Sequence, residues 1–164
     1  MSITGTAGVP PAASVNERTR AGGTPTVPVR KFLLPVYLHT QLAAEAREAF
    51  PCECCGLIEG MRSGDAIEVF RLHPARNLSP EGDRFEIDPA EHIRLLRNLR
   101  GTARRIIGCY HSHPNGTAAP SARDLASASE ENFVWLIAGV RADGTSEIAA
   151  HLFASGAFRL LRIA

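Results

Sequence analysis

The chain has 164 residues, 45% apolar and 21% charged, with a formal net charge of +1. These figures suit one soluble domain with its own core, and they exclude a strongly basic nucleic-acid binder. No run of about eighteen apolar residues and no basic start leading into an apolar stretch is present, so no membrane span and no signal peptide is expected, and the protein reads as cytoplasmic.

Residues 1–28 carry Pro10, Pro11, Pro25 and Pro28 among Gly, Ala, Ser and Thr, and read as a disordered leader ahead of a domain over 29–164. From Val36 to Phe50, Leu38, Leu42, Ala46 and Ala49 recur at helical spacing, and Pro51 ends the helix. Cys54–Ile58, closed by Gly60, reads as a buried strand. Ala66–Leu72 reads as a second strand after a turn at Ser63, Gly64 and Asp65. A polar loop through Asn77, Ser79, Pro80 and Gly82 leads to a short strand at Phe85–Ile87. Asp88-Pro89 starts a helix with Ile93, Leu96 and Leu99 on its inner face, ending near Gly101. Ile106–Tyr110 is β-like, His111–Pro120 reads as a loop that Asn115 and Gly116 make mobile, and Ser121 caps a helix running to Glu130. Phe133–Val140, Glu147–Phe153 and Phe158–Ile163 complete the strands. The mixture lacks regular βα alternation, which favours α+β or three layers over a doubly wound sheet.

Cys52, Cys54, Cys55 and Cys109 lack the two separated pairs of a structural zinc knuckle, and read as reduced, buried thiols. The sharpest pattern is His111-Ser112-His113-Pro114 followed by Ser121 and Asp124. Two histidines at i and i+2 of an extended chain point the same way, and Asp124, one turn into the next helix, can fold back to them. Two nitrogens and one carboxylate suit a catalytic zinc whose fourth position stays open for water. Taken alone, His-x-His is equally a polar loop after a strand. Such a water needs a base, and Glu53, beside the run Cys54–Ile58, is the best placed, although Glu59, Glu81, Glu86 and Asp88 compete and a plain turn carboxylate is the simpler reading. Ser121 either caps its helix or also supports an oxyanion. Trp135, Phe133 and Leu136 read as core. The arginines at 94, 97, 100, 104 and 105 form a solvated helix face or a dock for an acidic protein.

Together these residues resemble the JAMM (Mov34/MPN/PAD-1) metalloprotease family. Tyr110-His111-Ser112-His113-Pro114, with Ser121 and Asp124, is similar to that family's central segment. Pro51-Cys52-Glu53-Cys54-Cys55-Gly56-Leu57-Ile58-Glu59-Gly60 resembles the glutamate segment of its bacterial members, as do Ala75-Arg76-Asn77 and Arg84–Pro89. The resemblance spans roughly residues 33–155. It implies an α/β fold, a JAMM/MPN-like (cytidine deaminase-like) mixed β-sheet flanked by helices. It implies zinc on His111, His113 and Asp124, Glu53 as acid/base, and Ser121 at the oxyanion. The short bacterial type implies a peptidase that cuts after the C-terminal Gly-Gly of a ubiquitin-like sulfur-carrier protein. The alternatives are an isopeptidase on another ubiquitin-like conjugate and a non-catalytic MPN-type binding module. No nucleic-acid or membrane partner is expected, and the protein is expected to be a monomer or homodimer.

Overall fold

A computed structural model describes residues 28–79 and 81–164. The expected leader, apart from Pro28, and Pro80 of the polar loop lie outside the described residues. Chain order is β1 (Lys31–Leu33), α1 (Val36–Ala49), β2 (Cys55–Ser63), β3 (Ala66–Ala75), α2 (Pro89–Asn98), β4 (Arg105–His113), α3 (Ala122–Ser127), β5 (Phe133–Val140), β6 (Ser146–Ala154) and β7 (Ala157–Leu161). The strands form one sheet in the order β1-β3-β2-β4-β5-β6-β7. The β1–β3 and β4–β5 pairs are parallel and the rest antiparallel, so the mixed α/β sheet is as expected. The sheet curls until Phe32 of β1 bridges Ile163 beyond β7, and the Ala164 N–H donates to the Phe32 carbonyl, which shields both edges.

Each face of the sheet carries its own apolar cluster. Leu38, Leu42 and Ala46 of α1 pack with Ile58, Val69, Tyr110, Leu136 and Leu152 on one face. Cys55, Leu57, Cys109, Phe133, Trp135 and Phe153 lie on the other, covered by Leu95 of α2 and by Phe85 and Ile87. All eight residues of β5 are buried, because helices or loops cover both of its faces.

Several local expectations are revised. Phe85–Ile87 forms no strand: one bridge from Ile87 to Asn77 is all its pairing. The Asn77 amide replaces a partner strand, its Oδ1 accepting from the Ser79 and Glu86 N–H groups, both at 2.9 Å. The α2 helix begins as expected, with Asp88 accepting from the Ala90 N–H. It is rotated, however: His92 and Leu95 face inward with Leu99, whereas Ile93 and Leu96 are exposed. Those inward residues also fall at i, i+3 and i+7, so the short helix had two apolar stripes to choose from. The α3 helix stops at Ser127 rather than Glu130, since Ala128 is extended and Asn132 turns left-handed (φ 62°) to aim the chain into β5. The three-residue β1 had no sequence signal; it exists by pairing with Ala66–Glu68.

Candidate metal centre

The histidines do not lie in a loop. His111, Ser112 and His113 are the last residues of β4, in register with Ile137, Ala138 and Gly139 of β5. Continued pairing satisfies their backbone, and strand alternation turns both imidazoles to the α2 face and Ser112 to the other. His111 is fully buried, and His113 and Asp124 nearly so.

Three donor groups converge. His111 Nε2 lies 3.0 Å from His113 Nε2. Asp124 Oδ1 is 3.2 Å from His111 Nε2, and Oδ2 is 3.3 Å from His113 Nε2. Tetrahedral zinc with bonds of about 2.0–2.1 Å needs ligand atoms roughly 3.3 Å apart, so the spacing fits. The orientation fits as well. His113 Nδ1–H donates to the Thr117 carbonyl at 3.1 Å, which turns the Nε2 lone pair inward. The His111 ring is set by stacking on Phe85, with centroids 4.3 Å apart, and its Nδ1 is buried without a partner. Two imidazole nitrogens and a carboxylate facing one another could hold a cation.

Asp124 is aimed by the start of α3. The Ser121 Oγ accepts from the Asp124 N–H at 3.1 Å, and Asp124 Oδ2 accepts from the Ser121 N–H at 2.6 Å. This capping box satisfies two helix-end donors and fixes the carboxylate. Burial alone would raise the Asp124 pKa, but in the metal-free protein the adjacent His111 and His113 outweigh it and hold the carboxyl well below the usual range. Burial lowers His111 below the ordinary imidazole value; for His113, burial is outweighed by Asp124 and Glu53, and its pKa is raised.

Glu53 arrives by register. Cys55 of β2 pairs with His111, so Glu53, two residues earlier, comes level with His113 on the same face. It is buried, and loss of hydration pushes its pKa up to about 7; His113 opposes the shift and Asp124 adds to it. Two side chains that the sequence reading left unassigned hold this segment. Asn77 Nδ2 donates to the Glu53 carbonyl at 3.1 Å and to the Arg84 carbonyl at 2.8 Å. The Ser112 Oγ, behind the histidines, accepts from the Cys54 N–H at 2.9 Å, and the Ser112 N–H donates to the Cys54 carbonyl. Their hold on the glutamate segment has no local signal, because the Glu53 and Cys54 backbone groups lie 24 and 58 positions away in sequence.

Three of the four competing acids, Glu59, Glu81 and Asp88, are occupied elsewhere. Glu59 is buried against His73 Nε2 (2.8 Å) and Arg104 (3.0 Å), and although burial opposes them these partners lower its pKa. Glu81 pairs with Arg84, and Asp88 caps α2. Cys55 and Cys109 are buried, with burial pushing Cys55 up to about 12, but Cys52 is exposed, contrary to expectation. Within the arginine run, Arg94 pairs with Glu91 and Arg104 with Glu59.

A sequence family described as prokaryotic homologs of the JAB domain matches residues 35–152. The chain belongs to that family. A desampylase from Haloferax volcanii is 33% identical over 136 residues, covering 75% of this chain and 94% of the relative. A CysO-cysteine peptidase from Mycobacterium tuberculosis is 26% identical over 116 residues, covering 71% and 78%. The solution structure of a Desulfitobacterium hafniense protein superposes with a TM-score of 0.72 at 29% identity, covering 81% of this chain and 91% of that one. Membership of the JAB family makes the chain a metallopeptidase. Among the described residues, no helix of this JAB protein is long and apolar enough to cross a membrane.

Proposed function

We propose that this JAB protein hydrolyses the amide bond after the C-terminal Gly-Gly of a ubiquitin-like sulfur-carrier protein, using zinc held by His111, His113 and Asp124. The observation that carries the reading is the convergence of those three donors, with Glu53 level with them and pushed up to about 7. The relatives named CysO-cysteine peptidase and desampylase support the peptidase reading.

Bound there, zinc would supply Lewis acidity and make a water's proton easier to remove. Glu53 takes that proton as the water attacks, and delivers it to the departing amine. A carboxylate with a pKa near the working pH suits both transfers. Ser121 accepts from the Asp124 N–H, which leaves its O–H hydrogen to donate to the developing oxyanion. Glycines before the cut fit the site because a residue without Cβ lets the scissile backbone approach closely.

The desampylase and a Thermus thermophilus relative named as a probable TtuB-protein conjugate cleaving protease favour a second reading, isopeptidase action on conjugates. One experiment separates the two. A carrier extended past Gly-Gly and the same carrier joined to a lysine of a second protein are each incubated with zinc-loaded enzyme and followed by intact mass. Faster loss of the linear extension supports the first reading and faster loss of the conjugate the second. No loss of either would leave a binding module and overturn the proposal.

A further inference from the structure

The segment from Pro114 to Pro120 separates the two histidines from Ser121 and Asp124, so its path sets where the carboxylate meets the imidazoles. It is seated, not free. Gly139 of β5 lies beside His113, and a Cβ on it would come within 2.5 Å of the Thr117 carbonyl carbon and 2.6 Å of the Gly116 carbonyl. The loop therefore rests directly on the bare backbone of β5. One residue further on, Ala118 is buried, and its carbonyl lies 2.9 Å from Nε2 of His151 on β6. His151 is itself 7% exposed, packed edge-on against Phe158 at 6.3 Å, and is part of neither the histidine segment nor the glutamate segment. Because a carbonyl only accepts, Nε2 carries the hydrogen.

We infer that His151 is a positioning residue for the metal centre. By donating to the Ala118 carbonyl it pins the loop onto β5 and β6, and so holds Asp124 in reach of His111 and His113. His113 grips the same loop at Thr117, one residue before Ala118. The two bonds fix consecutive carbonyls from opposite sides of the loop's seat: one from a residue that faces the cation site, the other from a strand that supplies no ligand. Losing the second lets Ala118–Ser121 lift, and with it the start of α3. The inference rests on the metal reading above.

The test compares His151→Leu, which keeps apolar bulk but has no donor, with His151→Gln, whose amide can place an N–H near the position of Nε2. Zinc affinity of each metal-free protein is measured against a competing chromophoric chelator, with kcat and KM alongside. Removing a group bonded directly to a ligand weakens metal binding about 10–100-fold. His151 acts one contact further out, so His151→Leu should fall toward the lower end of that range and lose kcat with KM held, while His151→Gln should recover most of both. A merely structural histidine would lower the melting temperature of both variants and leave zinc affinity unchanged. Should His151→Leu fail to fold, His151→Asn, polar but too short to reach Ala118, takes its place. Native zinc affinity in a folded donor-less variant overturns the inference and leaves the peptidase reading standing. Zinc binding without cleavage by the native enzyme overturns the peptidase reading while the affinity comparison still decides the role of His151. No zinc binding by the native protein overturns both.

Discussion

Glu53→Gln should make the metal-free protein more stable and abolish the activity of the zinc-loaded enzyme. Burial holds the Glu53 carboxyl at about 7 against an ordinary 4.5. The folded state therefore binds this proton more tightly than the unfolded state, and folding is penalised as pH rises through the window between those values. At about 1.4 kcal/mol per pKa unit, the span from 4.5 to about 7 amounts to roughly 3 kcal/mol, fully felt above pH 7 and absent below about 4.5. Glutamine has nearly the same shape and nothing to ionise, so the variant escapes the penalty. Urea unfolding of chelator-treated native and variant protein at pH 5 and pH 8 reads the difference directly. The variant should gain little at pH 5 and up to about 3 kcal/mol at pH 8. Equal stability at pH 8, or a gain that does not grow with pH, would refute the claim that an ionised Glu53 is buried at a stability cost for the sake of chemistry.

Ser112→Ala leaves the Cys54 N–H without its acceptor, so the free energy of unfolding should fall by about 1–3 kcal/mol; kcat should drop with KM held as the Glu53 segment loosens, and steady-state kinetics on a folded variant checks this. Zinc should raise the melting temperature of the metal-free protein by an amount worth about 2.7 kcal/mol at a hundredfold excess over Kd. Asp124→Asn should lose most of that gain in the same melts, because it removes the one anionic donor. Ser121→Ala should lose about 1 kcal/mol as a broken helix cap. Its kcat should fall about a hundredfold if the hydroxyl also serves the oxyanion, whereas a stability loss with native kcat would reduce Ser121 to a cap.

What the sequence made legible was what local pattern decides. Leu38, Leu42 and Ala46 at helical spacing delimited α1, and the unbroken apolar run Phe133–Val140 delimited β5. Asp88-Pro89 and Ser121 marked true helix starts because their side chains act within three residues. His111, His113 and Asp124, expected together from their spacing, do meet. Long-range pairing was hidden. His111–His113 read as loop because polar residues rarely end a buried strand, yet β5 pairs with all three. The holding roles of Ser112, Asn77 and His151 were not legible because each bonds a backbone group 24 or more positions away. Ile93 and Leu96 misled because apolar spacing on a short helix does not choose between adjacent stripes.

The central claim is hydrolysis after a Gly-Gly tail by a centre in which Glu53 moves the proton. Its most direct test is the intact mass of a Gly-Gly-extended sulfur-carrier protein after incubation with native enzyme and with Glu53→Gln, both matched for bound zinc. The native enzyme should trim the carrier to its glycine end, and the variant, carrying as much zinc, should leave it whole. Trimming by both at similar rates would contradict the role of Glu53, and an untouched carrier with the zinc-loaded native enzyme would contradict the substrate.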